Sequence, residues 1–263
     1  MKKDAMRQIC LLEMLSEKKR LDIKSVVDAL SISEATARRL FIDLEKSGKL
    51  IRIHGGIQAA PEIAPDYSFR LSAVCRTPEK NAIGAAAAKN VHSGDRIYLD
   101  SGTTVLKMAD ALASRLRHGE ISKVSIVTNS LSCMDNLSEL AEVILVGGII
   151  RPARRDVCGP LAEKNLVLYH FNKAFLGADA IVPSGDLLTT DDRTAIINEV
   201  VIRNSDTVFI LTDSSKFSSK AFVAYANLKN INAIVISDEK MSKKSLNELR
   251  SMNVKTEIIA VKN

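Results

Sequence analysis

The chain has 263 residues, 46% of them hydrophobic and 26% charged, with a net charge of +6. That balance excludes a disordered or collagen-like polymer, and the length leaves room for two domains, each with its own core. The longest apolar run, Val143–Ile150, is far short of the roughly 20 residues that cross a bilayer, so no membrane partner is expected.

The charge is uneven. Up to Gln58, twelve Lys/Arg stand against eight Asp/Glu, the kind of local excess that suits contact with a polyanion. Met6–Ser16 carries Ile9, Leu12, Met14 and Leu15, the pattern of an amphipathic helix. Lys18-Lys19-Arg20 is a polar break, and Asp22 is placed to cap a short second helix with Val26, Val27 and Leu30 apolar. After a Ser31-Ile32 turn, Ser33 opens a third helix that stops at Gly48. Within it Ala37, Leu40, Phe41 and Leu44 form one stripe, while Ala35, Arg39, Ile42 and Lys46 point the other way with Arg38 beside them. A strand over Lys49–His54 and a turn at Gly55-Gly56 follow.

Three helices and a hairpin predict a winged helix-turn-helix over residues 1–58. Its partner would be double-stranded operator DNA. The candidate DNA contacts are Ser33, Ala35, Thr36, Arg38, Arg39 and Lys46 on the third helix, with Arg52 and His54 in the wing. Arginine can fork onto guanine or hold a phosphate, and Thr36 and Lys46 suit phosphates. A three-helix dimerisation module is the alternative.

Residues 59–78 read as a linker, with Pro61, Pro65 and Pro78 and the aromatic pair Tyr67 and Phe69. From Glu79 helices and short apolar strands alternate. Strands are expected at 96–99, 124–127, 143–146, 174–176, 207–211, 233–236 and 257–261, with helices between them. The fold class is therefore α/β: a small winged helix-turn-helix domain, then a mostly parallel sheet over residues 79–263 with helices on both faces. The four cysteines (10, 75, 133 and 158) lack any C-x-x-C spacing and read as reduced thiols of a cytoplasmic protein.

Ligands of open α/β sheets sit beyond the carboxyl ends of the strands. The first such end reads Asp100-Ser101-Gly102-Thr103-Thr104. Its hydroxyls and N–H groups would open a helix, an arrangement that favours an anion. A plain strand–helix turn is the alternative. Asn129 follows the next strand, Gly147-Gly148 the third, Asp179 the fourth and Lys216 the fifth, a point charge suited to a phosphate. Arg151, Arg154 and Arg155 are expected to be a solvated loop, with phosphate contact as the lesser option. No P-loop, G-x-S-x-G or H-E-x-x-H is present, so no catalytic residue, metal site or cofactor is assigned.

Taken in order, these motifs resemble the DeoR-type bacterial transcriptional regulators over nearly the whole chain. In the first domain the matching residues are Ser33-Glu34-Ala35-Thr36, Arg38-Arg39, Leu44-Glu45, Gly48 and Arg52-Ile53-His54-Gly55-Gly56. Arg70 and Glu79-Lys80 follow. In the second they are Asp100–Thr104, Thr128-Asn129-Ser130, Gly147-Gly148, Gly159, Leu176-Gly177 and Asp213–Phe217. The resemblance implies a repressor of a carbohydrate-use operon, a homodimer or homotetramer, whose second domain binds a phosphorylated sugar or related metabolite. That domain is similar to the ribose-5-phosphate isomerase fold, in which the Ser/Gly/Thr loop holds phosphate. Ala180 stands after Gly177-Ala178-Asp179 where the isomerase pattern has glutamate, so binding is carried over and turnover is not. The effector would meet Asp100, Ser101, Gly102, Thr103, Thr104, Asn129, Gly147, Gly148, Asp179 and Lys216. Two positions depart from the family: Ala37 where a β-branched residue is usual, and Leu40 where an aspartate is usual. A sugar-phosphate isomerase or lyase with an accessory DNA module, and a constitutive DNA-binding protein, are the rival readings.

Overall fold

A computed structural model of the chain describes residues 3–18, 20–59 and 69–261. The chain divides into two compact units, Met1–Cys75 and Arg76–Asn263.

In the first unit, α1 (Lys3–Lys18) leads into β1 (Arg20–Asp22), α2 (Ile23–Leu30), α3 (Glu34–Lys46), β2 (Leu50–Ile53), β3 (Gly56–Ala59) and α4 (Phe69–Val74). The local chemistry is as the sequence dictates. Asp22 caps α2 by accepting from Ser25 N, and Ser33 caps α3 by accepting from Thr36 N. Gly48 takes the left-handed conformation that ends α3. Leu11, Leu15, Val26, Ala37, Leu40, Phe41 and Leu44 close one core. Leu40 is 1% exposed, so it belongs to that core.

Three features differ from expectation. The polar break contributes β1, which makes the wing three-stranded in the order β1-β3-β2. The turn is made by His54 and Gly55, while Gly56 lies in β3 against β1. A Cβ on Gly56 would stand 2.1 Å from the Leu21 carbonyl oxygen, so strand approach explains this glycine. Finally, α4 and the start of the next helix occupy part of the expected linker, where Phe69 and Cys75 find buried positions. Tyr67, Pro61 and Pro65 lie outside the described residues.

The second unit runs α5 (Thr77–Ala88), β4 (Arg96–Leu99), α6 (Thr103–Arg117), β5 (Ser125–Thr128), α7 (Leu131–Leu137), β6 (Glu142–Leu145), β7 (Ile149–Arg151) and β8 (Asp156–Cys158). It continues with α8 (Pro160–Leu166), β9 (Phe171–Gly177), β10 (Ala180–Ile181), β11 (Asp186–Thr189), α9 (Asp192–Arg203), β12 (Ser205–Leu211), β13 (Val223–Asn227), β14 (Ala233–Asp238), α10 (Lys243–Ser251) and β15 (Lys255–Ile259). Seven strands form one sheet in the order β15-β14-β12-β9-β4-β5-β6, and every pairing in it is parallel.

Side chains alternate across that sheet. Ile97 and Leu99 enter the layer of α5 and α6 with Ile83, Met108 and Phe175, whereas Tyr98 enters the opposite layer with Leu166, Ile197 and Val201. Phe175 and Phe209 stack at 4.8 Å between ring centres. Short apolar strands covered on both faces are what a parallel sheet requires. Two small antiparallel sheets, β10-β11-β13 and β7-β8, decorate it; no strand was expected from the sequence at these segments. Among the described residues no helix is long and apolar enough to cross a membrane.

Candidate functional site

The exposed side of α3 carries Ala35, Arg38, Arg39, Ile42 and Lys46, opposite its buried stripe. Ser33 Oγ is occupied as a cap, 3.2 Å from Thr36 N, and meets the Thr36 hydroxyl at 2.9 Å. Arg38 lies against Glu34 one turn earlier, at 2.5 Å with both side chains more than half exposed. Such a surface pair is worth little and can yield to a phosphate. Arg52 in β2 pairs with Glu45 of α3 through Nε at 2.5 Å and through its backbone N–H at 3.2 Å. These hydrogen bonds hold the Glu45 carboxyl below its ordinary range, and the contact fastens the wing strand to α3. His54 is exposed at the wing turn.

In the second unit the strand order reverses at β4. From β4 the chain builds outward through β5 and β6, then returns to add β9, β12, β14 and β15 on the other side. The crevice between the carboxyl ends of β4 and β9 is therefore the switch point where open α/β sheets bind ligands. Asp100 Oδ2 crosses it to accept from Gly177 N at 3.1 Å. Thr103 opens α6, whose cap Gly102 offers no side chain to the first N–H groups, leaving backbone donors at the positive end of the helix. Ser101 Oγ donates to Asp156 Oδ2 at 3.1 Å.

Asp100 is buried, and burial pushes its carboxyl up to about 6 against hydrogen bonds from the Gly177 and Ser101 backbone, with Asp156 and Asp179 adding to the rise. Asn129 is 1% exposed; its Oδ1 accepts from Tyr98 OH at 2.9 Å and its Nδ2 donates to Val157 O at 3.3 Å. Asp179 Oδ2 accepts from the Thr189 and Thr190 hydroxyls and from Thr190 N. Both side chains thus brace the crevice from within. Gly148 is spoken for as well, since a Cβ there would stand 2.6 Å from Cys158 O; the backbone it admits is the chain's own. Gly147 is exposed beyond the end of β6.

Lys216 follows β12, next to Asp213. Burial pushes the Asp213 carboxyl up, but the charges of Lys216 and Arg76, the Ser215 hydrogen bond and Lys80 bring it below its ordinary value. Arg76 and Lys80 were not among the expected site residues. Their placement follows from the pairing of α5 with α6. Gly84 abuts Lys107 and Met108, and Arg115 donates to the carbonyls of Ala88 and Val91. The two helices therefore run parallel, and Lys80, one turn before Gly84, lies in the first half of α5, where its charge acts on Asp213. Lys80 is only 5% exposed. It shares the spacing of Ile83, Gly84 and Ala87, so a lysine on an otherwise apolar stripe was the available signal.

The arginine run is also corrected. Arg151 is half-buried in ion pairs with Asp156 and Asp191, at 2.6 and 2.5 Å, and Arg155 pairs with Asp135 at 2.9 Å. It is not a solvated loop, because β7 and β8 fold the segment back onto the strand ends.

An exposed basic helix with a wing, followed in the chain by a parallel α/β sheet, defines a helix-turn-helix transcriptional regulator. Two family models match: a DeoR-like helix-turn-helix domain over residues 7–62, and a DeoR C terminal sensor domain over residues 76–239. The chain belongs to the DeoR family and is a regulator, not an enzyme. Among its relatives, the uncharacterized HTH-type transcriptional regulator YulB of Bacillus subtilis is 32% identical over 95% of both chains. The HTH-type transcriptional repressor GlcR of the same organism is 31% identical over 87% of this chain and 86% of its own. The lactose phosphotransferase system repressor of Lactococcus lactis is 33% identical over 79% and 80%. Ribose 5-phosphate isomerase A of Methanocaldococcus jannaschii aligns with 52% of each chain at a TM-score of 0.40 and 21% identity, too partial a likeness to carry chemistry across.

Proposed function

We propose that the chain is a cytoplasmic repressor of a carbohydrate-use operon, a homodimer or homotetramer whose second unit binds a phosphorylated sugar or related metabolite. The observation that carries the effector reading is the switch-point crevice. There the uncapped start of α6 follows β4, and the buried Lys80 gathers with Lys216 and Arg76 around Asp213 at a neighbouring strand end. Helix N–H groups and ammonium charge together suit a phosphate. The names of the relatives, a lactose phosphotransferase system repressor among them, support the carbohydrate context.

In this reading Arg38 and Arg39 read or clamp the operator, Thr36 and Lys46 hold phosphates, and Arg52 and His54 do so from the wing. Ser101, Gly102, Thr103 and Thr104 receive the effector phosphate with Lys80 and Lys216, while Asp100 and Asp179 face its polar end. Asn129, Gly147 and Gly148 shape the surrounding loops. The effector acts by binding the DNA-competent and DNA-released states with different affinity.

The test is a thermal-shift series with glucose 6-phosphate, fructose 6-phosphate and ribose 5-phosphate, followed by a gel shift on a duplex selected from random DNA. An ester that raises the melting temperature and releases the duplex is expected. Thr103→Asp, which places a negative charge at the start of α6, should abolish that release and leave duplex binding intact. Full release by this variant would move the ligand elsewhere.

A further inference from the structure

Arg151 has no part in the scheme so far, yet its guanidinium makes four hydrogen bonds near the crevice. Its Nε and Nη2 fork onto Asp156 at 2.8 and 2.6 Å. Its Nη1 reaches Asp191 at 2.5 Å, and Nη2 also reaches the Thr194 hydroxyl at 3.0 Å. Asp191 is itself the cap of α9, accepting from Thr194 N. Asp156 is 1% exposed, and its Oδ2 takes both an arginine N–H and the proton of Ser101. The backbone on either side is fixed: Val157 N donates to Asn129 O, and Leu131 N to Arg155 O. The hairpin β7-β8 therefore cannot slide relative to the end of β5.

We propose that Arg151 is the positioning residue of the effector loop, acting through Asp156 to set where the Ser101 hydroxyl stands. The inference rests on the phosphate reading given above. Two physical reasons support it. A carboxylate buried beside an anion site is tolerable only when a cation neutralises it, and the guanidinium fork does so in fixed geometry. A hydroxyl has one proton, and Ser101 gives it to Asp156, so the side chain that holds Asp156 in place fixes the Ser101 rotamer and with it the loop that leads into the backbone N–H groups of α6. Asp191 provides an internal control, since it shares Arg151 but has no hydrogen bond to Ser101.

The test uses the full chain and whichever of glucose 6-phosphate, fructose 6-phosphate and ribose 5-phosphate stabilises it most. Arg151→Gln is expected to weaken binding of that ester at least tenfold, and Asp191→Asn less than threefold. In a Ser101→Ala background the same Arg151→Gln change should cost less than threefold, a coupling that a general loss of rigidity does not produce. Because Arg151→Gln strands two carboxylates and can fail to fold, the pair Arg151→Met with Asp156→Leu removes the relay together with its buried charge and leaves only Asp191, which Arg154 still faces at 3.9 Å. It should melt normally without ligand and still bind at least tenfold more weakly. Independent effects of Ser101→Ala and Arg151→Gln, or wild-type affinity in the paired variant, would overturn the assignment alone. If no ester stabilises the wild-type chain, the phosphate reading falls and takes this one with it.

Discussion

Arg39 and Lys46 sit on the face of α3 that the core leaves to solvent, and in the proposed reading Arg39 meets the groove. If it forks onto a guanine, Arg39→Ala costs about 1–3 kcal/mol of discrimination between operator and mismatched duplexes. Competition gel shifts measure this, and unchanged selectivity would remove Arg39 from base reading. Asp100 invites a different test. A carboxyl whose folded pKa is raised holds its proton more tightly in the folded state. Its effect is nil below the unfolded value of 3.8 and becomes unfavourable as pH climbs through about 6. The gap corresponds to about 3 kcal/mol at neutral pH. Asp100→Asn keeps an acceptor for Gly177 N and removes the charge. Its melting temperature should match the wild type near pH 4 and exceed it by on the order of 5 °C at pH 7.5. A difference that does not change with pH would show that Asp100 titrates normally.

Elements impose their own constraints. The wing exists because β3 can press against β1, and that approach leaves no space for a Cβ at Gly56. Gly56→Ala must push the strands apart, breaking the pairing of Asp22 with Gly56 and the cap that Asp22 supplies to α2. The expected cost is about 2 kcal/mol or more in the first unit, read as a fall in its unfolding midpoint, with weakened DNA binding to match. Equal midpoints would mean that the wing relaxes freely. In the second unit the pairing of α5 with α6 does comparable work, because Gly84 lets the helices run close enough for its backbone to abut Lys107 and Met108.

At the scale of the whole molecule, the proposed function has one chain bind a polyanion at one unit and a small anion at the other. The first contact should be governed by counterion release. A protein making 6–10 phosphate contacts loses about 10³–10⁵ in affinity between 50 and 200 mM salt. Fluorescence anisotropy at several salt concentrations measures the slope, and Lys46→Ala should lower it by about 1 for each bound copy. An unchanged slope would place Lys46 away from the backbone. The second contact should depend little on bulk salt, since Lys80 lies in the interior, where screening is weak.

Much of this was legible along the chain. The caps at Asp22 and Ser33, the stop at Gly48, the bounds of α6 and the alternation that builds a parallel sheet are local properties. They depend on residue spacing and on backbone groups that need partners within a few positions. The Asp100–Thr104 turn was visible for the same reason. What spacing could not reveal were partners distant in sequence. Arg151 reads as one of several loop arginines until folding brings it against Asp191. Lys80 reads as a helix lysine until α6 packs beside it, and Gly56 as a turn residue until β1 arrives. Hydrogen bonds within a turn are fixed by the chain's own geometry, whereas burial of charge is decided by which surfaces meet, and only the tertiary structure determines that.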